Sequence, residues 1–342
     1  MNAAQMLTVI IPTYNRKKEL ERSLNYWSEL PFNVFVMDGS RFSYTGDIPR
    51  NVNYSSLPNL DLKERIFKAA SEVTSPYVVM CADDDFLGYN ALLKMVEYLE
   101  CHSEYVSVQG RYIYVTDSVP VRWYVEYSIF DNYHVSSDDV FERAQQALNP
   151  CMHQSYSVMR TEAMRVTYDN DITQFNAMEV NAVMMSSILG KHRLLPLFYS
   201  VRQLNTNINF DNREGLFNWM DENKELASNW RTGLALSFSK LMGEDIETGL
   251  NFFDFAIQEY RKSCEVKKKA IPTYSWKSIV KALLPTVLLK IYRSKFPLGF
   301  DIHDDISLMR RYASTVEYPN SQVIAKKDWK RIKDVILASV EE

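Results

Sequence analysis

Several features that mark other classes of protein are missing from this sequence. Its four cysteines, at positions 81, 101, 151 and 264, form no CxxC pair and show no metal-ligand spacing, so a reducing cytoplasm is the simplest setting. No run of about 18 apolar residues is present to span a bilayer. Residues 1–6 carry neither the charged start nor the apolar core of a signal peptide. We therefore expect a protein that is soluble or peripheral to a membrane.

Charge and glycine pattern narrow the functional classes further. A net charge of -4 does not suit a nucleic-acid surface, and we expect no nucleic-acid partner. No glycine-rich phosphate loop accompanies the first predicted strand, which weighs against a nucleotidyltransferase or phosphotransferase. With 342 residues, 46% of them hydrophobic, the chain can form a full α/β domain and a second lobe.

An acidic strand end is the feature around which the sequence is organised. Residues 78–81 are apolar and predict a buried parallel strand, and Asp83, Asp84 and Asp85 stand where that strand stops. Open α/β sheets bind ligands at the carboxyl ends of their strands, so these carboxylates indicate a metal-held phosphate. The alternative is a solvated aspartate turn that caps the following helix.

Two strand–loop units precede the acids. Residues 8–11 form a β-branched run that ends in a Pro-containing loop, and the stripe of Leu20, Leu24 and Trp27 predicts a helix over 17–28. A second strand, 33–37, leads into an Asp-Gly-Ser turn. The order is therefore strand, helix, strand, and then an acidic strand end.

This succession of motifs resembles glycosyltransferase family 2, the GT-A nucleotide-sugar transferases. The signature of that family is an IIPTYNR-like start, a DGS turn and a DXD-type acid motif, and all three occur here in order. The resemblance covers residues 7–203, and PYVVMCADDDF is similar to a subgroup from bacterial polysaccharide clusters. It implies an α/β GT-A fold, which is Rossmann-like, with a mostly parallel sheet flanked by helices.

The domain organisation follows from where the resemblance ends. We predict a catalytic domain over residues 1–205, with a nucleotide-sugar half at 1–100 and an acceptor half at 101–205. Beyond it, apolar stripes predict a mainly helical region over 206–342. Within that region residues 261–295 contain ten basic residues and one acid. This stretch could lie on an anionic membrane or could pack on the catalytic domain, because both give the same stripe.

The resemblance also assigns the nucleoside to particular residues. The loop after the first strand and the acid after the second would hold it: Pro12, Thr13, Tyr14, Arg16 and Asp38. An ordinary βα loop is the alternative for the first of these. Many family members have two acids before the glycine, whereas this chain has Met37 at the position of the first acid. Which nucleobase the site recognises therefore stays open. A UDP-sugar is favoured.

Roles for the acids follow from the match to the DXD motif. Asp85 would be the direct ligand of Mn²⁺ or Mg²⁺, Asp83 would bind ribose or a metal-bound water, and Asp84 would point away or assist. A divalent ion stabilises the charge that grows on a leaving diphosphate. Such ions are usually held by one or two carboxylates together with phosphate and water. Lys63 is a candidate phosphate contact, and a solvated helix face is the alternative for it.

Inverting transfer also needs a base for the acceptor hydroxyl. In the family this is an acid at the start of a helix downstream of the DXD motif. Glu179 has that placement in the first turn of a helix predicted to open at residue 178, where the macrodipole would keep it ionised. The same macrodipole favours an acid there without any catalysis, and Asp169 and Asp171 in the preceding loop are the alternatives.

Two further residues are candidates for phosphate or acceptor contacts. His153 matches enzymes that add a histidine to the acid motif, although a lone histidine is more often structural. Arg202 lies at the end of a predicted strand and could bind phosphate or acceptor.

The sequence thus predicts a metal-dependent inverting glycosyltransferase that moves a sugar from a nucleotide-sugar donor to a glycan or lipid-linked hydroxyl. We expect it to act in bacterial surface polysaccharide synthesis, in the cytoplasm or at the inner face of the membrane. One alternative is a nucleotidyltransferase or phosphotransferase on a similar scaffold, because metal and carboxylates serve phosphoryl transfer equally well. The other is a non-catalytic partner with a GT-A-like fold, which would be expected to lack the acids.

Overall fold

The computed structural model describes residues 3–116, 123–125, 133–172, 174–204, 214–270, 300–301 and 321–341. The strands in these ranges are β1 (Leu7–Thr13), β2 (Asn33–Asp38), β3 (Val52–Ser56), β4 (Tyr77–Met80), β5 (Phe86–Leu87), β6 (Tyr105–Thr116), β7 (Trp123–Val125), β8 (His134–Val135), β9 (Val158–Arg160), β10 (Lys191–Leu204) and β11 (Phe300–Asp301). The α-helices are α1 (Lys17–Ser28), α2 (Leu62–Glu72), α3 (Tyr89–Cys101), α4 (Val140–Leu148), α5 (Thr161–Tyr168), α6 (Phe175–Leu189), α7 (Glu214–Glu222), α8 (Lys224–Met242), α9 (Ile246–Ala270) and α10 (Ser321–Glu341).

A single mixed sheet organises the molecule. Strands β3, β2, β1 and β4 lie side by side in that order and run parallel. The sheet continues through β9, β6, β7 and β11 with antiparallel pairings. Strand β10 runs parallel to β6 and pairs antiparallel with β5 and β8. The predicted α/β class with a parallel central sheet and a helical C-terminal region is confirmed.

The central strands are buried on both faces, which explains their continuous apolar sequence. Because successive side chains point to opposite faces, Val9 and Ile11 of β1 join one core while Ile10 joins the other. The first core lies under α1, α3 and α10 and the second under α2, α4, α5, α6, α8 and α9. The large apolar content of the chain is thus divided between two layers of helices around one sheet.

Helix α10 packs against β10, α3 and α1. Its Trp329 meets the ring of Phe198 edge-on at 6.0 Å. Asp328 is 2% exposed and accepts hydrogen bonds from the backbone amides of Asn90 and Ala91, both at 3.0 Å. These are two of the unpaired amides at the start of α3, so a remote helix supplies the cap. The predicted division at residue 205 stays a prediction.

Gly88 explains why the cap comes from elsewhere. It precedes α3 and has no side chain with which to cap the helix. A Cβ atom at this position would lie 2.5 Å from Asp328 Oδ2. Glycine therefore allows α10 to approach the beginning of α3, just after the acid cluster.

Two expectations for the acceptor half were wrong. The composition of residues 151–160 predicts a strand, but the structure has one only at Val158–Arg160. Buried hydrogen bonds from Gln154 to Tyr133 and from Ser157 to Gln109 hold the preceding residues as a loop. Helix α6 begins at Phe175 rather than at Met178, because the Gln174 side chain accepts a bond from the backbone amide of Ala177 and starts the helix earlier. Glu179 is therefore the fifth residue of the helix, not part of its first turn.

Some expectations concern residues that are not described. The basic stretch 261–295 lies largely outside the described ranges, so its two interpretations, membrane contact and internal packing, both remain. Within the described helices, none combines the length and apolar character that a bilayer span requires. All four cysteines are free thiols.

Candidate active site

The loop after β1 is fixed by contacts to the turn after β2. Asn15 adopts a left-handed backbone with φ of 56°, a conformation that asparagine tolerates better than most residues. Its amide donates to Ser40 Oγ at 2.7 Å, and the Gly39 amide donates to the Thr13 carbonyl at 3.0 Å. These bonds hold the ends of two neighbouring parallel strands together at one edge of the sheet.

Arg65 of α2 links the ends of the same two strands by hydrogen bonds. Its guanidinium donates to the carbonyls of Thr13 at 2.6 Å and Met37 at 2.8 Å, and the side chain is buried. Burial lowers the pKa of Arg65. A Cβ atom at Gly39 would lie 2.6 Å from the Arg65 guanidinium carbon, so the glycine of the Asp-Gly-Ser turn permits this approach.

Asp38 closes the turn after β2. Its carboxylate accepts from the Ser40 amide at 2.8 Å and from the Tyr54 hydroxyl at 2.7 Å, and the residue is buried. Burial and this hydrogen bond raise the pKa of Tyr54 to about 12. Each carboxylate oxygen retains a second lone pair, so Asp38 can shape the turn and still accept from a ligand.

The acid cluster, Asp83, Asp84 and Asp85, is buried at the end of β4. Asp83 accepts from Thr13 Oγ1 at 2.6 Å and from the Arg16 guanidinium at 2.7 Å. A second nitrogen of Arg16 pairs with Asp84 at 2.5 Å. The loop after β1 and the acid cluster, about 70 residues apart in sequence, therefore form one site.

Asp85 is bound by a different part of the chain. The Tyr156 hydroxyl donates to one of its oxygens at 2.7 Å and the Gln203 amide to the other at 2.8 Å. Burial, reinforced by the charge of Asp84, raises the pKa of Asp85 to about 7. Burial also raises the pKa of Asp83 to about 6, although Thr13 and Arg16 oppose the shift. The cluster thus concentrates negative charge that a cation would relieve.

Two arginines surround this carboxylate end of the sheet. The Arg202 guanidinium lies between the rings of Tyr112 and Tyr156, 4.2 and 4.3 Å from their centroids. Arg22 of α1 donates to the Gln203 side chain at 2.6 Å. Sequence reasoning identified Arg202 but missed Arg22, because nothing in the apolar pattern of α1 distinguishes this arginine from a solvated one.

Comparison with known proteins identifies a domain within the chain. Residues 8–167 match the family model described as Glycosyl transferase family 2. These residues form a family 2 glycosyltransferase domain. The predicted enzyme class is thereby confirmed, and the alternatives of a phosphotransferase scaffold and a non-catalytic partner are not supported.

Solved structures of S. aureus TarS are similar to the chain at the level of the fold. The 1–349 fragment has 15% identity and a TM-score of 0.44, over 80% of this chain and 93% of that one. The same fragment in complex with UDP has 16% identity and a TM-score of 0.42, with coverage of 80% and 93%. Its complex with UDP-GlcNAc has 15% identity, a TM-score of 0.44 and the same coverage. No curated protein sequence matches the chain.

In the structure, the predicted site residues fall into two groups. Thr13, Arg16 and the acid cluster are in direct contact, and Arg202 lies beside them against Tyr156. Tyr14 extends from the same loop and is 60% exposed. Pro12, the sixth residue of β1, pairs with Met37 of β2 and so lies one residue before this edge.

The second group lies on helix α6 and on the loop before β9. His153 Nδ1 is 3.4 Å from Glu179 Oε2, and both side chains are partly exposed. His153 belongs to the loop that also carries Tyr156, the partner of Asp85. Because Glu179 is in the second turn of α6, the helix dipole no longer accounts for an acid at this position. The predicted roles of both residues remain to be tested.

The hydrogen bond that Lys63 makes is to a loop and not to the acid cluster. Its ammonium group donates to the backbone carbonyl of Asn170, in the loop between α5 and α6. The predicted phosphate role is not tested by this contact.

Three-residue metal clusters are not found in the described ranges. The donor set at the end of β4 nevertheless consists of carboxylate oxygens, the ligands that hard divalent ions prefer. Magnesium sites of this kind commonly use only one or two protein carboxylates.

Proposed function

We propose that this family 2 domain transfers a sugar from a UDP-sugar to the hydroxyl of a glycan or lipid-linked acceptor, with inversion and with a divalent metal. The observation that carries the proposal is the buried acid cluster at the carboxyl end of β4, in contact with the loop after β1. Ligands of open α/β sheets bind at this edge. A donor diphosphate placed there would lie beside the acids, Arg16 and Arg202.

The nucleoside would lie over the ends of β1 and β2. Tyr14 offers an exposed ring on which a flat base can stack. Asp38 presents acceptor lone pairs to base or ribose, and its position is fixed by Ser40 and Tyr54. The interlocked backbone of this edge provides a preformed surface, which lowers the ordering cost of binding.

Asp85 would hold the metal, Mn²⁺ or Mg²⁺, with Asp83 contributing through ribose or water. The fit rests on the hard oxygen donors and on the raised pKa of Asp85, since a nearby cation favours the ionised carboxylate. When bound, such an ion supplies electrostatic stabilisation of the leaving diphosphate. Tyr156 and the Gln203 amide would orient Asp85 from the opposite side.

Glu179 would accept the proton of the acceptor hydroxyl. Its carboxylate is partly exposed, as a group that meets an acceptor must be, and His153 lies within ion-pair distance. The histidine can hold the carboxylate in one orientation. Because His153 and Tyr156 share one loop, the base and the metal-binding acid would be positioned together.

A nucleotide panel tests this assignment. Thermal unfolding is measured with UDP, GDP and CMP, each with Mn²⁺, Mg²⁺ or EDTA. We expect the largest rise in Tm with UDP and a divalent ion, because ligand that binds only the folded state stabilises it by mass action. Equal Tm shifts in EDTA would refute the need for a divalent metal. A larger Tm shift with GDP or CMP would refute uracil as the nucleobase of the donor.

The cellular setting is part of the same proposal. An enzyme that extends lipid-linked glycans in bacterial surface polysaccharide synthesis would work in the cytoplasm at the inner face of the membrane. The basic stretch 261–295 would supply the contact, since each Lys or Arg near an anionic surface adds about 1 kcal/mol. Flotation with anionic liposomes at low salt checks this, and absence of binding would favour packing on the protein.

A further inference from the structure

A cavity lies on the far side of α6 from the Glu179–His153 pair. It occupies about 370 Å³ between the loop after α5, helix α6, and helices α7 and α8. Its principal lining residues are Thr167, Asp169, Asp171, Asn181, Trp219 and Trp230. Asn181 is two positions after Glu179, about 200° around the helix, so the two residues lie on different faces of α6.

The wall of the cavity contains buried polar groups. Thr167 is 1% exposed, and its hydroxyl has no hydrogen-bond partner among the residues described here. Next to it, Asn181 accepts from the Trp230 indole at 3.0 Å and donates to the Thr167 carbonyl over 3.4 Å. A buried hydroxyl without a partner is costly, so a polar ligand or water is expected beside it.

The chemistry of the wall selects the class of ligand. Two indoles, with centroids 6.5 Å apart, provide flat apolar surface. Asp169, Asp171 and the asparagines provide hydrogen-bond acceptors and donors, and no lysine or arginine is among the described lining residues. Carboxylates without cations disfavour phosphate and other anions. A neutral sugar fits, because its C–H face stacks on an aromatic ring while its hydroxyls bond to carboxylates and amides.

We propose that this cavity binds one neutral sugar unit of the acceptor glycan, as a subsite distinct from the donor site. The sugar-binding assignment stands on the cavity alone, whereas the acceptor role rests on the proposed function. A volume of about 370 Å³ can enclose a monosaccharide.

A short chain of contacts connects the cavity to the ends of β1 and β2, where we propose that the nucleoside binds. Lys63 of α2 donates to the carbonyl of Asn170 in the cavity loop, and Arg65, two residues along the same helix, binds the strand ends of β1 and β2. A glycan held in the cavity would therefore be anchored to the helix that supports the donor site.

Sugar binding is tested directly by saturation-transfer NMR and tryptophan fluorescence on the full chain. The probes are the methyl glycosides of glucose, galactose and N-acetylglucosamine, with glucose 6-phosphate as the anionic comparison. Trp219→Ala removes a half-buried stacking ring, and Asp171→Asn removes an exposed carboxylate and threatens folding little. Leu236→Ala, at an exposed position of α8 outside the cavity, is the matched control.

We expect at least one neutral glycoside to bind to the wild type and to Leu236→Ala, and Kd to rise about threefold to tenfold in Trp219→Ala. Asp171→Asn should weaken the same glycoside, and glucose 6-phosphate should bind no better. If no neutral glycoside binds, or if binding is unchanged in both cavity variants, the proposal is overturned.

UDP binding is measured in the same samples to separate the two proposals. UDP bound with normal affinity by Trp219→Ala, together with lost glycoside binding, supports a separate sugar subsite. Glycoside binding without any UDP binding would leave the cavity site standing and contradict the proposed donor site. A cavity variant with transferase activity should show a raised KM for acceptor and an unchanged KM for donor; unchanged acceptor KM would contradict the acceptor role.

Discussion

The two sides of the candidate active site are built differently. On the donor side, side chains from three short motifs contact one another directly, as Thr13 and Arg16 do with the acid cluster. On the acceptor side, the loop between α4 and β9 carries two contacting residues. His153 lies near Glu179 of α6, and Tyr156 donates to Asp85, which follows β4. Motif residues thus define one half of the site, whereas long-range packing defines the other.

Asp85 is where the two sides meet. It belongs to the donor-side cluster, but its hydrogen bonds come from Tyr156 and from the backbone of β10. A change on the acceptor side should therefore reach the carboxylate that we propose as the metal ligand, without touching any donor-side motif. The following predictions test this relation.

The largest effect short of removing the acid cluster is expected at the acceptor-side base. Glu179→Gln should lower kcat by a factor of about 10² to 10⁴, the usual loss for a missing general base, while UDP and metal still bind. Steady-state transfer assays and calorimetry measure the two properties separately. Glu162→Gln, an exposed acid on α5, is the control.

A different outcome would relocate the base. If Glu179→Gln keeps the wild-type kcat while Asp171→Asn loses it, proton transfer belongs to the loop before α6. The loop between α5 and α6, and not helix α6, would then supply the general base on the acceptor side.

The next largest effect is expected for Tyr156→Phe, on metal affinity. The substitution keeps the ring that stacks on Arg202 but removes the hydroxyl that binds Asp85. Loss of a residue that orients a metal ligand typically lowers metal affinity about 10-fold to 100-fold. Mn²⁺ titration in the presence of UDP measures the change, and Tyr105→Phe at the start of β6 is the control. Equal Mn²⁺ affinity in both variants would show that Asp85 is oriented without the acceptor-side loop.

A smaller effect is expected where the distant helix α10 supports the donor side. Asp328→Ala should lower the free energy of unfolding by about 1 to 2 kcal/mol, because the amides of Asn90 and Ala91 lose their cap. Urea unfolding checks this value against Asp334→Ala, an exposed position on the same helix. The same loss in both variants would mean that the cap contributes nothing specific.

The last expected effect, measured as a change of slope, is a pH dependence of stability without metal. Asp85 and Asp83 have folded pKa values of about 7 and about 6, above the ordinary value near 4, so the folded state holds these protons more tightly. Their contribution to stability is full below about pH 4 and is lost as pH rises to about 7. The slope is at most about 1.4 kcal/mol per pH unit for each proton. Asp85→Asn should flatten the part between about pH 6 and 7, whereas curves of equal slope would contradict a raised pKa.

The elements and contacts of the proposed donor side could be predicted because each of its motifs is local. Helix α1 and strand β2 lie where the apolar pattern indicated, and the capping box of Asp61 and Glu64 at the start of α2 is visible as a four-residue pattern. The acids, Thr13 and Arg16 were named from the motifs alone. Their contacts follow from parallel strands that end at one edge.

The acceptor side was harder to predict because its residues act through tertiary contacts. The segment before β9 has strand-like composition, yet Ser157 binds Gln109 and Gln154 binds Tyr133, and these buried bonds hold it as a loop. On the donor side, Arg65 likewise carries no sequence signal that separates a buried arginine from a solvated one. The cap of α3 by Asp328 joins positions 238 residues apart, which no local pattern can reveal.

Calorimetric titration of UDP tests the central claim, that Asp85 binds the metal that holds the donor diphosphate. Wild type and Asp85→Asn are each titrated with UDP in Mn²⁺ and in EDTA. We expect UDP binding by the wild type that depends on Mn²⁺, and little or no Mn²⁺-dependent binding by Asp85→Asn. Equal UDP affinity in Mn²⁺ and EDTA, or an unchanged response of Asp85→Asn to Mn²⁺, would contradict the claim.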